Sequence, residues 1–260
     1  MRISENYGPE NWHLPPPIEG DWAEFDQSGA ALLVARLSEA IRADAAAATT
    51  WVEAARALPL DFYEGWMLCD IQTLFVAARP DSLLEADTPV TAEPRRTVSS
   101  YLFGPDGFTP LDGASRQIHE HNMKHGIDVS TVEKAKSYLR FFCFFVRADM
   151  GPFEIHETGA RLDLKDISDA DALQKATKAL SPLGESDPPS GSQFERSFRA
   201  CVLYGDHLFE SQFGIASYGH VEMLNDDLIV GGVHRTPELG FDGNRRFAAK
   251  VSGTAAGAGQ

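Results

Sequence analysis

The most concentrated group of potential metal ligands is the run from His119 to His125, which holds three histidines. Imidazole is the commonest neutral nitrogen ligand of zinc, so His119, His121 and His125 form a candidate site for a divalent metal such as zinc. On a helix His121 and His125 share a face, whereas His119 points roughly 200° from His121 and would have to lie in a preceding turn. The run also lacks the H-E-x-x-H spacing of zinc proteases. A solvated helix start or a surface switch cluster is therefore the alternative interpretation.

A second group of polar side chains is predicted on one face of the C-terminal strands. If the apolar residues of these strands face the core, alternation places five polar residues on the opposite side: Arg199, Glu210, Gln212, His220 and Glu222. His220 and Glu222, two residues apart on one strand, could transfer protons if this face lines a cavity, with Glu210 and Arg199 completing a catalytic set. The alternative is that this face meets water, as one face of an antiparallel sheet commonly does.

The three cysteines do not resemble a disulfide framework or a nucleophile site. Cys69, Cys143 and Cys201 are odd in number, far apart in the sequence and surrounded by apolar residues. Cys69 also adjoins Asp70, whose charge raises the pKa of a thiol rather than lowering it. We therefore predict three buried, reduced cysteines and a reducing compartment.

Composition and missing motifs exclude several classes of protein. The 260 residues include 38 acidic and 23 basic side chains, a formal charge of -15, which disfavours nucleic-acid partners and anionic membranes. No phosphate-binding loop, dinucleotide fingerprint, C-x-x-C pair, EF-hand loop or G-x-S-x-G motif occurs. Residues 1–7 do not resemble a signal peptide, and no apolar run approaches the ~20 residues that span a bilayer. We therefore expect a soluble cytoplasmic protein without a membrane segment.

Before residue 181, the apolar residues recur mainly at helical spacing. This spacing predicts helices over residues 28–43, after a capping box at Ser130 and Glu133 with an apolar stripe from Val132 to Val146, and from Ser168 to about Leu180. Thr50 and Glu53 form another capping box and predict a short helix that ends at Leu58-Pro59. Residues 64–78 are apolar without a clear period, and we interpret them as a further helix.

The predicted fold is α+β, with four segments. Residues 1–27, which contain three successive prolines, form an extended arm, and residues 28–181 form a mainly helical region. Residues 194–247 change to a period of two and predict an antiparallel β-meander that packs on the helices, with a turn at Asn225-Asp226. Residues 248–260 have little to bury and form a flexible tail.

These features favour a non-catalytic interaction protein, an accessory or regulatory subunit with a protein partner or a second copy of itself. The absent catalytic motifs, the proline-bearing arm and the strong acidity support this hypothesis. The rival hypothesis is an enzyme that uses either the metal site at His119, His121 and His125 or the acid-base pair His220 and Glu222. Only the metal hypothesis names a cofactor.

Overall fold

The structure, a computed structural model, describes residues 1–40, 49–76, 95–159, 162, 167, 169–233, 240–241 and 243–248. In this part of the chain, strands take up more residues than helices do. The described helices are α1 (Gln27–Ala40), α2 (Ser115–His125), α3 (Val132–Phe145), α4 (Ala170–Ala179) and a 3-10 turn at Pro9–Asn11. The described strands are β1 (Arg2–Ile3), β2 (Ala23–Glu24), β3 (Thr49–Pro59), β4 (Met67–Val76), β5 (Arg95–Gly104), β6 (Gly107–Pro110), β7 (Arg147–Ala148), β8 (Gly151–Pro152), β9 (Glu154–Ile155), β10 (Gly184–Ser186), β11 (Arg196–Tyr204), β12 (His207–Ile215), β13 (Val221–Gly231), β14 (Gly240–Phe241) and β15 (Arg245–Ala248).

The first sheet combines strands from both ends of the chain. Its order is β1-β3-β4-β5-β15-β14, with β2 beside β3 and β6 beside β5. Only the β1–β3 pair is parallel among its described pairs. Ala248, which opens the predicted flexible tail, is the last residue of β15, and residues 249–260 lie outside the described residues.

The prediction that residues 28–181 are mainly helical is wrong, because β3, β4 and β5 lie in this region. The capping-box residues Thr50 and Glu53 belong to β3, and the apolar segment 64–78 contains β4. Both strands are buried on both faces over most of their length, so their apolar residues form near-continuous runs instead of alternating. Pairing of β3 with β4 along its whole length overrides the helix propensity of its alanines.

One face of the first sheet packs on α1. Leu33 and Leu37 of the helix contact the cluster that contains Ala55 and Ile71 of the sheet. The predicted helix over residues 28–43 is confirmed as far as Ala40, and residues 41–43 lie outside the described part of the chain.

The other face of the first sheet is partly polar, and the N-terminal arm crosses it there. The buried guanidinium of Arg56 donates to Asp70 Oδ2 at 3.0 Å and to the Pro15 carbonyl at 3.1 Å. The rings of Trp12 and Trp22 lie 4.0 and 5.0 Å from its central carbon. Side chains of the sheet thus hold the backbone of the arm in place.

The second sheet contains the predicted meander. Its order is β10-β11-β12-β13, with β9 beside β11, and all of these pairs are antiparallel. The meander prediction is confirmed for β11, β12 and β13. The predicted turn at Asn225-Asp226 is wrong: both residues lie inside β13, where a register shift opposite Gln212 and Phe213 accommodates the irregular spacing.

Helix α3 is the centre of the largest apolar cluster, as its phenylalanine-rich sequence predicts. The cluster joins Phe141 of α3 to Leu68 and Leu102 of the first sheet and to Phe198 and Phe213 of the second. The helix begins one residue later than predicted. Its N-cap is Thr131, whose hydroxyl accepts from the Lys134 amide at 3.2 Å, instead of Ser130.

Helix α4 covers part of the opposite face of the second sheet. Ala176 of the helix packs in a cluster with Cys201, Leu203 and Leu208 of the strands. The N-cap of α4 is Asp169, and the predicted start at Ser168 lies outside the described residues. No helix in the described part of the chain is long and apolar enough to cross a bilayer.

Candidate functional site

A groove of about 530 Å³ lies between α4 and the outer face of the second sheet, and we call it the α4 groove. Arg199 and Glu210, two of the predicted site residues, both line it. In the β11–β12 register, Arg199 lies opposite Gln212 and Glu210 lies opposite Cys201, so the two charged residues are diagonal neighbours on one face. Strand alternation therefore places this pair as the sequence predicts.

Charged side chains of both signs line the α4 groove. Lys175 and Lys178 come from α4, while Arg199, Glu210 and Asp227 come from the sheet. Among the residues that the structure describes, none of these five groups takes part in an ion pair within 4.0 Å. Asp227 accepts one hydrogen bond, from the side-chain amide of Asn225 at 3.1 Å. With respect to the described residues, the charges of this groove are thus available to a ligand.

Apolar surface accompanies these charges. Leu228 and Ile229 line the same groove, and Leu228 is 61% exposed. Cys201 lies in the strand below, where burial and the charge of Glu210 raise the pKa of its thiol to about 12. A thiol in this state stays protonated and does not act as a nucleophile near neutral pH.

The other two cysteines are equally unreactive, and the prediction of three buried free cysteines is confirmed. Burial, with a smaller effect from Asp70, raises the pKa of the Cys69 thiol to about 12. Burial alone raises the pKa of Cys143.

His220 and Glu222 lie together but are not among the residues that line the α4 groove. His220 Nε2 is 3.8 Å from Glu222 Oε2, and the two side chains are 36% and 55% exposed. Of the four residues predicted as one catalytic set, Arg199 and Glu210 thus line the α4 groove, whereas His220 and Glu222 do not. His220 precedes β13 and lies in the turn region, so strand alternation does not govern its direction.

The two histidine-containing groups meet at His119. Its ring centre is 5.8 Å from that of His220 and 5.7 Å from that of Phe142. Burial, followed by the nearby His220, lowers the pKa of His119. The histidine run thus contributes one imidazole to the surroundings of His220 and Glu222.

A buried hydrogen-bond network fixes the turn that carries His220. Tyr138 donates its hydroxyl proton to the Gly219 carbonyl at 2.6 Å, and Asn122 donates to the Tyr138 hydroxyl at 3.0 Å. Tyr63 donates to the Asn122 side-chain oxygen. Asn122 lies inside the histidine run, but sequence reasoning missed its role because its partners are far away in the sequence. The one nearby feature of the sequence that bears on this network is the Tyr218-Gly219 pair, which is typical of a turn.

His121 and His125 lie on another side of α2, away from His119. Their ring centres are 4.6 Å apart, and Trp66 lies 4.3 Å from the His121 ring. Burial, followed by the charges of His125 and Lys124, lowers the pKa of His121 to about 4. Within the described residues, no group of three or more histidine, cysteine, aspartate or glutamate side chains is arranged to hold a metal ion. The three predicted metal ligands are therefore not brought together.

No protein-family model matches the chain, and the comparisons with curated proteins and with solved structures find no match either. What the protein does must therefore follow from the geometry and charges of its own sites. Of the two sites, the α4 groove combines a sizeable volume with exposed apolar surface and with charges that make no ion pair to a described residue. The His220 site combines a fixed turn with half-exposed imidazoles.

Proposed function

We propose that the protein is a non-catalytic binding protein, an accessory or regulatory subunit, that holds a segment of a protein partner in the α4 groove. The observation that carries this proposal is that five charged side chains line the groove and none has an ion-pair partner among the described residues. A bound segment with charges of opposite sign would neutralise these side chains, which no described residue does.

The dimensions of the groove support binding of a short segment. A volume of about 530 Å³ lies within the range of roughly 300–1,000 Å³ that is typical of ligand sites. Leu228 offers exposed apolar surface in the middle of charged residues, which is the usual composition of a protein interface.

The separation of the predicted catalytic residues also favours binding over catalysis. A general base acts on a group that other side chains orient, and such sets need to lie within hydrogen-bond reach of the same atom. Arg199 and Glu210 line the α4 groove, whereas His220 and Glu222 do not. Among the residues that the structure describes, the groove therefore has charges for recognition but no imidazole for proton transfer.

Site-specific photo-crosslinking tests this proposal. A benzophenone amino acid placed at Leu228, in cells of the source organism, should give a discrete adduct with one partner protein. The matched control is the same amino acid at Leu32 of α1, which is 70% exposed but lies outside the groove. The adduct at position 228 should disappear in a Lys178→Glu variant. Identical adducts from both positions, or an adduct that the Lys178→Glu variant retains, would contradict the proposal.

An acid-base enzyme that uses His220 and Glu222 is the second candidate function. The observation that favours it is the Tyr63–Asn122–Tyr138 network, which holds the turn before His220 in one conformation. This candidate needs the imidazole of His220, whereas the binding protein does not. A His220→Gln variant that keeps the crosslink at Leu228 therefore separates the two functions.

A further inference from the structure

The two walls of the α4 groove carry charges of different sign. The helix contributes the cations Lys175 and Lys178. The sheet contributes the carboxylates Glu210 and Asp227, with Arg199 beside them. A ligand in the groove therefore meets a positive wall on one side and a mainly negative wall on the other.

Like charges are neighbours on each wall. Glu210 and Asp227 are direct register partners on β12 and β13, so their side chains lie opposite each other on one face. Like charges in this position repel and destabilise the strand pair. Lys175 and Lys178 are three residues apart in α4, a spacing that also makes side chains neighbours. Each wall would thus gain from a group of the opposite charge.

The walls do not neutralise each other across the groove. Within the described residues, neither lysine lies within 4.0 Å of Glu210 or Asp227. Arg199 is only a diagonal neighbour of Glu210 and makes no ion pair with it either. A ligand of one sign would satisfy one wall and be repelled by the other.

We infer that the bound segment carries an acidic and a basic side chain on either side of an apolar residue, an inference that rests on the proposed function. Its carboxylate contacts Lys175 and Lys178, and its ammonium or guanidinium group contacts Glu210 and Asp227. The apolar residue covers Leu228 and Ile229. The occupant is thus a zwitterionic peptide segment and not a purely anionic one.

Titration of the full-length, isotope-labelled protein with capped tripeptides tests this inference. The probes have a central leucine flanked by glutamate and lysine in both orders, by glutamate and glutamine, by lysine and glutamine, or by two glutamines. The better of the two doubly charged peptides should bind about threefold to fivefold tighter than either singly charged peptide, as expected for one further exposed ion pair. Amide shifts should centre on Cys201, Glu210 and Leu228.

Charge-reversal variants assign each end of the peptide to a wall. Lys175→Glu combined with Lys178→Glu should remove the preference for the glutamate, and Asp227→Lys should remove the preference for the lysine. Lys124→Glu on α2 is the matched control, because Lys124 is exposed and does not line the groove. Like the two lysine substitutions in the groove, it makes the net charge more negative, and it should leave both preferences unchanged.

Three results would overturn the inference: no groove shift with any peptide, equal binding of singly and doubly charged peptides, or preferences that the wall variants do not alter. Crosslinking at Leu228 remains a separate measurement. A site-specific adduct together with the absence of a double-charge preference would reject only the zwitterionic segment. Failure of the crosslink would reject the binding function itself.

Discussion

At the residue level, Gly219 shows how one added methyl group would disturb the His220 site. Its backbone has φ +81°, in the left-handed region, and a Cβ there would lie 2.3 Å from the Asn122 amide nitrogen. Asn122 cannot move away freely, because it bonds to both Tyr63 and Tyr138. Glycine is therefore required here for its backbone angle and for its lack of a side chain.

We expect a Gly219→Ala substitution to destabilise the protein more than its backbone angle alone explains. The matched control is Gly126→Ala, because Gly126 has φ +78° but open space around the position of its Cβ. The control should lose about 1–2 kcal/mol from the left-handed backbone alone. Gly219→Ala should lose this amount and a further ~1–3 kcal/mol from the disrupted network, measured by urea unfolding. Equal losses in both variants would show that the network does not constrain the turn.

Among the structural elements, the first sheet contains a buried ion pair that also holds the N-terminal arm. Arg56 and Asp70 lie on neighbouring strands in direct register, and both are buried. Asp70 also accepts from the Ser100 hydroxyl at 2.7 Å, so a third strand supports it. Because Arg56 donates to carbonyls of the arm, the pair determines where the arm lies.

An Asp70→Asn substitution should destabilise the fold by about 3–5 kcal/mol, because it leaves the Arg56 cation buried without a counter-charge. Urea unfolding measures the loss, and tryptophan fluorescence reports the arm, since Trp12 and Trp22 lie against Arg56. The control is Glu133→Gln, which removes a carboxylate from the exposed pair with Lys136 at 3.5 Å. That change should cost about 0–1 kcal/mol. Similar losses in the two variants would contradict a structural role for the buried pair.

At the scale of the whole molecule, one apolar cluster connects the two sheets. Phe141 of α3 is fully buried and contacts Phe62, Tyr63 and Tyr138. The same cluster contains leucines of the first sheet and phenylalanines of the second. We therefore expect both sheets to unfold in a single transition.

Phe141→Ala should lower the free energy of unfolding by about 3–5 kcal/mol. It should lower the denaturation midpoints of both sheets by the same amount. All four tryptophans precede residue 67, so their fluorescence reports the first part of the chain, and amide exchange in β11 and β12 reports the second sheet. The two measurements should give the same midpoint in the variant. The control Leu32→Ala, at an exposed position of α1, should change the free energy of unfolding little. Separate midpoints would show that the cluster does not couple the sheets.

Features that depend on local spacing could be predicted from the sequence alone. The apolar stripe of α3, the meander of β11 to β13 and the shared face of Arg199 and Glu210 follow from periods of 3.6 and 2. The burial of the three cysteines follows from their apolar neighbours in the sequence. Each of these patterns is complete within a short stretch of chain. Local physical chemistry was therefore enough to predict them.

Features that depend on partners distant in the sequence could not be predicted in this way. β3 and β4 are strands because sheet pairing and burial on both faces outweigh the helix propensity of Ala54 and Ala55. Helical spacing predicts that His119 and His121 point to different sides, but only the folded chain shows that these sides contact His220 and Trp66, respectively. The bond from Tyr138 to Gly219 spans 81 residues. The periodicity of apolar residues within one element does not predict a contact over such a distance, so only the folded chain shows which groups lie together.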